Sequence, residues 1–243
     1  MMKDDNNKSE AVRINKFLSE AGVLSRRKAD EAVSSGEVLI NGIPAELGSV
    51  VNPGDKVEYK GVPVSAGKKD KIIILNKPLG LVCTAKEADK DSIFRKIDFH
   101  ERLIYVGRLD KDSQGLLLLT TDGDLANSIQ KSRNNHEKEY VVRVDKDITE
   151  DFLKGMRGGV PILDTVTKKC KVVKQGNRSF RIIITQGLNR QIRRMCEYFG
   201  YRVVFLKRIR ELNILLGDLK PGEYRELTKE EETELRRLVD KPV

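Results

Sequence analysis

An arginine and a carboxylate two residues apart, Arg108 and Asp110, sit in the polar stretch Gly107-Arg108-Leu109-Asp110-Lys111-Asp112-Ser113-Gln114-Gly115. Apolar runs border it at residues 103–106 and 116–119, and both read as strands. A carboxylate held at the mouth of a sheet can attack an electrophilic carbon or move a proton, and neither task needs a metal or a cofactor. By itself an Arg-x-Asp turn is most often a surface ion pair or a turn cap. Two other segments raise its interest. Tyr140 opens the strand-like segment Tyr140-Val141-Val142-Arg143-Val144, where alternation puts Tyr140, Val142 and Val144 on one face. A tyrosine there is either core or a stacking platform for a base. The third segment, residues 187–200, reads as an amphipathic helix capped by Asn189 and stopped by Gly200, with Ile192, Met195, Cys196 and Phe199 on its apolar side. Arg190 and Arg194 then face outward, toward solvent or phosphates. Arg193 falls at the edge of the apolar stripe, a position suited to a guanidinium that grips a half-buried carboxylate.

The elements that must position these side chains are legible as a two-part chain. Residues 72–240 alternate strands (72–75, 140–144, 180–185, 203–206, 212–215) with helices (124–131, 150–155, 189–199), and Asn76-Lys77-Pro78-Leu79-Gly80 enforces a turn. Thr228 and Glu231 form a capping box for a last helix that buries Leu235, Leu238 and Val239. The pattern predicts an α+β fold, a mixed and largely antiparallel sheet with helices packed against it. A smaller unit precedes it at residues 12–60. Residues 13–21 read as a helix ended by Gly22, Ser25 caps a second helix closed by Gly36, and Asn41-Gly42 marks a hairpin. Arg13, Lys16, Arg26, Arg27 and Lys28 gather on the two helices. A Gly-, Ser- and Lys-containing linker is expected at 61–71, and a disordered polar start at 1–11.

Composition narrows the classes of partner. The 243 residues carry a net charge of +9, and residues 168–220 alone hold fourteen Lys and Arg against three Asp and Glu. Such a basic belt is either a solvated face or the footprint of phosphate contacts. Three scattered cysteines and two histidines argue against a disulfide framework, a zinc site or a Ser-His-Asp triad. No apolar run approaches a membrane span and the first residues are not signal-like, so a soluble cytoplasmic protein without metal or cofactor is expected.

Taken together, Asn76-Lys77-Pro78-x-Gly80, Gly107-Arg108-Leu109-Asp110, Lys138-Glu139-Tyr140 and Arg190-Gln191-Ile192-Arg193-Arg194-Met195 resemble, in order and spacing, one family of pseudouridine synthases. That family includes the small-subunit rRNA enzyme and the B, E and F types that act on large-subunit rRNA. Lys111 to Gly115, His136 to Tyr140 and Leu188 to Gln191 look most like the F type. The leading unit resembles the alpha-L RNA-binding module shared with a small-subunit ribosomal protein. The resemblance implies a cofactor-free isomerase of uridine in RNA, most of all large-subunit ribosomal RNA; action on a transfer-RNA anticodon stem-loop, instead or in addition, is the alternative. It also implies roles. Asp110 is the essential carboxylate, Tyr140 stacks on the uracil, Arg193 pairs with Asp110, and Arg108 fills the gap left by the extruded nucleotide. Lys77, Asn189, Arg190 and Arg194, with the five basic residues of the leading module, would contact RNA.

A non-catalytic RNA-binding or ribosome-assembly protein explains the charge and the module equally well. It gives no reason for Asp110, Tyr140 and Arg193 to occur together. A DNA-binding protein is the third reading, and it lacks a free recognition helix. Residue types leave open whether Asp110 bonds to the sugar or removes a sugar proton. They mark no oligomer, so a monomer is expected.

Overall fold

The computed structural model describes residues 11–65, 70–86, 88–100, 102–130 and 135–240. The expected disordered start, apart from Ala11, lies outside them, as do 66–69 of the expected linker. The chain divides into two compact units, one up to Asp70 and one from Lys71.

In the first unit, helices Ile14–Glu20 and Arg26–Ser34 bury Ile14, Leu18, Ala29, Ala32 and Val33 against Val38, Val51 and Val57. Ser25 caps the second helix by accepting from the Lys28 amide, and Asn15 reaches across to Asp30 at 2.8 Å. Asn41 and Gly42 both take positive φ, 53° and 79°, which is the primed turn that joins Val38–Ile40 to Ile43–Pro44. Two expectations change. Arg13 is not helical: it pairs in a short strand, Val12–Arg13 with Val50–Val51, and stands as the helix N-cap. The sheet also runs past residue 60, because Val62–Val64 pairs with Val57–Tyr59. Proline is tolerated in such a terminal strand, so Pro63 did not stop it.

The second unit is built on a nine-stranded mixed sheet. Its path runs Lys171–Gly176, Ser179–Ile184, Lys138–Val144, Val203–Glu211, Gln114–Thr120, Ile72–Lys77, Tyr224–Glu226, while Ile214–Leu215 pairs with Val203–Glu211 and Ile104–Val106 with Gln114–Thr120. Helices Glu150–Gly158 and Gln191–Tyr198 cover one face, packing Phe152, Met156, Ile192 and Met195 on Tyr140, Val142, Phe180 and Ile182. Helices Gly123–Gln130 and Lys229–Val239 cover the other face over Ile72, Ile74, Leu116 and Leu118, with Val106 and Ile214 from the two short strands. The Thr228–Glu231 capping box opens the last helix as expected. No helix of the described residues is long and apolar enough to cross a membrane.

Every sheet pairing is antiparallel except one, Val203–Glu211 beside Gln114–Thr120. It rests on two registered pairs, Lys207 with Gln114 and Arg208 with Gly115. Gly115 has φ +106°, and a Cβ there would stand 2.2 Å from the Arg208 carbonyl oxygen. The approach of the two strands therefore requires glycine on both counts. Gly115→Ala is expected to destabilise the chain by at least about 3 kcal/mol, since strain and a backbone clash add. A shifted urea midpoint would show it, and a midpoint unchanged from the parent would contradict this account of the junction.

Candidate active site

The polar stretch preceding Gln114–Thr120 forms a loop held from several sides, mostly through its backbone. Gly107 turns into it at φ +68°. The Ser113 amide closes a turn onto the Asp110 carbonyl at 3.0 Å, and the Gly80 amide donates to the Lys111 carbonyl at 2.8 Å. Beneath lies Lys77, fully buried, whose ammonium donates to the carbonyls of Ser113 at 2.8 Å and Pro78 at 2.9 Å. Burial lowers the Lys77 pKa, and the nearby Asp110 and Asp112 carboxylates oppose that shift. Lys77 is thus removed from the RNA-facing set: the strand expected to end at residue 75 continues through it, so its side chain points into the fold.

Helix Gln191–Tyr198 approaches from the other side. Arg193 is buried, and its guanidinium donates to the Asp112 carbonyl at 2.6 Å and the Val203 carbonyl at 3.2 Å, with the Asp112 carboxylate 3.3 Å away. Its carboxylate partner is Asp112 rather than the expected Asp110. Arg190 fills that place: it grips Asp112 with two hydrogen bonds, at 3.0 and 2.8 Å, and comes within 3.8 Å of Asp110. The cause is a helix that begins one residue later than expected. Arg190, not Asn189, is the N-cap, in the left-handed region at φ 50°, ψ 34°, which turns its side chain back to the loop. Asn189 instead accepts from Arg194, through its backbone at 3.1 Å and its side chain at 3.2 Å.

Facing the loop across the sheet is a buried charged floor that the sequence reading left without a role. Tyr140, 8% exposed, lies opposite Arg208, whose guanidinium donates to the Leu116 carbonyl at 2.7 Å. Glu211 stands 3.3 Å from Arg208 and 3.7 Å from Lys138. Burial raises the Tyr140 pKa, against the pull of Arg208, so its phenol is neutral. Burial also lowers Lys138, and Glu211 opposes the shift. The signal available in sequence was parity: Arg208 shares the inward face with Leu206, a position where a charge needs a buried partner.

Asp110, Tyr140, Arg190 and Arg193 line one cavity of about 390 Å³, together with Arg108, Asn189, Lys138, Arg208 and Glu211. Arg194 is not among the lining residues. Asp110 is 38% exposed there, within reach of a ligand, and Arg108 is exposed with no acidic partner among the described residues. Among the basic residues of the first unit, Arg13, Arg26, Arg27 and Lys28 are exposed, and Lys16 pairs with Glu20 at 3.5 Å. A neutral ring, a reachable carboxylate and fixed cations around one small volume suit an anionic, aromatic ligand whose own carbon is attacked or deprotonated.

Comparison with known proteins gives the ligand its class. Residues 71–198 match the model of the RNA pseudouridylate synthases, and 12–57 match the S4 domain. The chain belongs to the RNA pseudouridylate synthase family. The synthase is 49% identical over 232 residues to the dual-specificity RNA pseudouridine synthase RluF of Escherichia coli (strain K12), covering 95% of this chain and 80% of that one. An RNA pseudouridine synthase of Aquifex aeolicus is 40% identical, with 94% and 95% covered. A solved pseudouridylate synthase superposes with a TM-score of 0.67 at 30% identity, covering 93% of this chain and 99% of that one. The synthase therefore isomerises uridine to pseudouridine in RNA, and the non-catalytic and DNA-binding readings fall away.

The Asp112 bridge has a measurable consequence. Hydrogen bonds from Arg190 hold the Asp112 carboxyl below its ordinary 3.8, with the Arg193 charge adding to the effect. A depressed folded-state pKa gives stability that is fully present above the unfolded value and is lost as pH falls through the folded one. Asp112 is 45% exposed, so solvent screening keeps the contribution below about 1 kcal/mol. Asp112→Asn should lower the urea midpoint at pH 7 and leave a smaller drop between pH 5 and pH 3 than in the parent. Equal acid sensitivity of the two proteins would exclude the bridge as a source of stability.

Proposed function

We propose that this synthase modifies a uridine of large-subunit (23S) ribosomal RNA and a second uridine in a transfer-RNA anticodon stem-loop, in the cytoplasm, with Asp110 as its essential carboxylate. The observation that carries the site reading is the meeting of Asp110, Tyr140, Arg190 and Arg193 at one cavity, although they lie up to 83 residues apart in the chain. The dual specificity in the name of the Escherichia coli relative supports two RNA substrates. A monomer is part of the proposal.

In this reading the target nucleotide leaves its stack at a cost of a few kcal/mol, recovered by stacking and phosphate contacts. The uracil lies on the Tyr140 ring, and Arg108 enters the vacated stack. Asp110, with Arg190 3.8 Å away, serves as nucleophile or base toward the sugar. The bond from the sugar to nitrogen 1 breaks, the uracil turns and carbon 5 bonds to the sugar; carbon 5 then gives up its proton and nitrogen 1 takes one up, so the product is an isomer. Arg193 acts as a positioning residue through the backbone and side chain of Asp112. Asn189 and Arg194 line the approach for phosphates, and Arg13, Lys16, Arg26, Arg27 and Lys28 hold a neighbouring stretch of RNA through the S4 domain.

Asp110→Asn is expected to reduce pseudouridine formation by more than about 10³-fold while the RNA dissociation constant stays within about threefold. Chemical mapping of pseudouridine on large-subunit and transfer-RNA transcripts reads both substrates in one experiment. Turnover near that of the parent would remove Asp110 from the chemistry. Product on only one transcript would refute dual specificity.

A further inference from the structure

The basic belt of residues 168–220 does not form one surface. Strand alternation divides it between the two faces of the sheet. Arg190, Arg193 and Arg208 line the cavity, whereas Lys171, Arg181, Lys207 and Arg210 point to the reverse, where Arg143 joins them from outside the belt. Register sets these side chains in rows. Val173, Arg181, Val141 and Lys207 lie side by side across four strands, Lys171, Ile183, Glu139 and Arg210 form the row on one side, and Ser179, Arg143 and Phe205 the row on the other.

This part of the reverse face is open. Val141, Ile183 and Phe205 belong to neither apolar cluster of the second unit, and the cluster under Gly123–Gln130 and Lys229–Val239 contains no residue of Lys171–Gly176, Ser179–Ile184, Lys138–Val144 or Val203–Glu211. Its charge is uneven. Glu139 and Glu137 engage Arg210 at 2.9 Å each, and Glu139 also meets Arg181 at 3.4 Å. Lys171, Arg143 and Lys207 have no acidic partner among the described residues. They span the four strands, roughly 14 Å at the usual strand spacing. Beside them Phe205 is half-buried, with the Arg143 guanidinium 5.7 Å from its ring centre. Unneutralised cations on a rigid grid, interleaved with an aromatic ring and short apolar side chains, match a strand of RNA. Phosphates pair with the cations and a base packs on the ring.

We propose that the reverse face formed by Arg143, Lys171, Arg181, Phe205 and Lys207 is a second RNA-binding surface, which holds a segment of the substrate RNA remote from the target uridine. It explains a charge excess that the cavity does not use. It rests on the chain acting on RNA and is independent of the role given to Asp110.

The test compares the full chain with the variant Arg143→Gln, Lys171→Gln, Lys207→Gln on two RNAs: a long fragment of large-subunit RNA and a minimal stem-loop bearing the target uridine. Turnover of the stem-loop should be unchanged. Affinity for the long fragment should fall by about tenfold or more, and the slope of log affinity against log salt should become shallower by roughly 2, for three phosphates on a single strand. The charge-keeping variant Arg143→Lys, Lys171→Arg, Lys207→Arg should restore both. A photo-crosslinking benzoylphenylalanine in place of Phe205 should capture the long RNA. Unchanged affinity and slope on the long fragment would overturn the proposal, as would crosslinks only within the protein. Loss of stem-loop turnover would also overturn it, by assigning these residues to the cavity's own substrate contacts.

Discussion

The site exists because two halves of a sheet meet at a parallel junction only two residue pairs long. One half carries the Asp110 loop at the entrance to Gln114–Thr120, and the other carries Tyr140 and Arg208 on adjacent antiparallel strands. Gly115 lets the backbones close to a distance that any side chain would forbid. Arg208 stands at the same point in the register, opposite Tyr140 on one side, and its guanidinium spans the junction to the Leu116 carbonyl. One buried cation therefore ties the strand beside the ring to the strand that leads out of the carboxylate loop. Wider spacing here would separate the Tyr140 ring from Asp110, the stacking surface and reacting group of the proposed mechanism, and positioned catalysis does not tolerate that.

Around that junction the carboxylates differ in how fully they are paired. Asp110 is the reachable carboxylate, whereas Asp112 is occupied by two arginines and Glu211 is sealed between Arg208 and Lys138. The two occupied carboxylates neutralise cations that would otherwise sit unpaired against apolar packing, a costly state in a low-dielectric interior. Asp110 is left with Arg190 at one side and open space at the other. The carboxylate proposed for chemistry is distinguished by lone pairs left free toward the cavity, not by being the most strongly held.

Much of this was legible in sequence, and the failures share a cause. Hydrophobic periodicity located the strands that carry Tyr140 and Phe180 and the helix that carries Met195, because their apolar residues repeat at the strand or helix period. Two strands were read too short, at Leu75 and at Leu206. Both continue into Lys77 and into Arg208 and Glu211, buried ions whose polarity imitates a loop when partners elsewhere in the chain are invisible. The helix cap failed for a related reason. Asn189 is the better capping residue by type, yet Arg190 takes the position, in a left-handed conformation and with its guanidinium on Asp112, 78 residues away. Short polar strands such as Lys171–Gly176 and Tyr224–Glu226 gave no periodic signal at all, and only neighbouring strands define them.

The loop bearing Asp110 is fastened chiefly by carbonyl oxygens. Lys77 takes those of Ser113 and Pro78, Gly80 takes that of Lys111, Arg193 takes that of Asp112, and the Cys83 thiol reaches that of Leu109. Every amino acid brings the same carbonyl, so the loop's path is largely indifferent to which side chains decorate it. Drift at its solvent-facing positions can therefore retune which RNA is welcomed without relocating the carboxylate, and one scaffold can serve a lineage of enzymes with diverging targets.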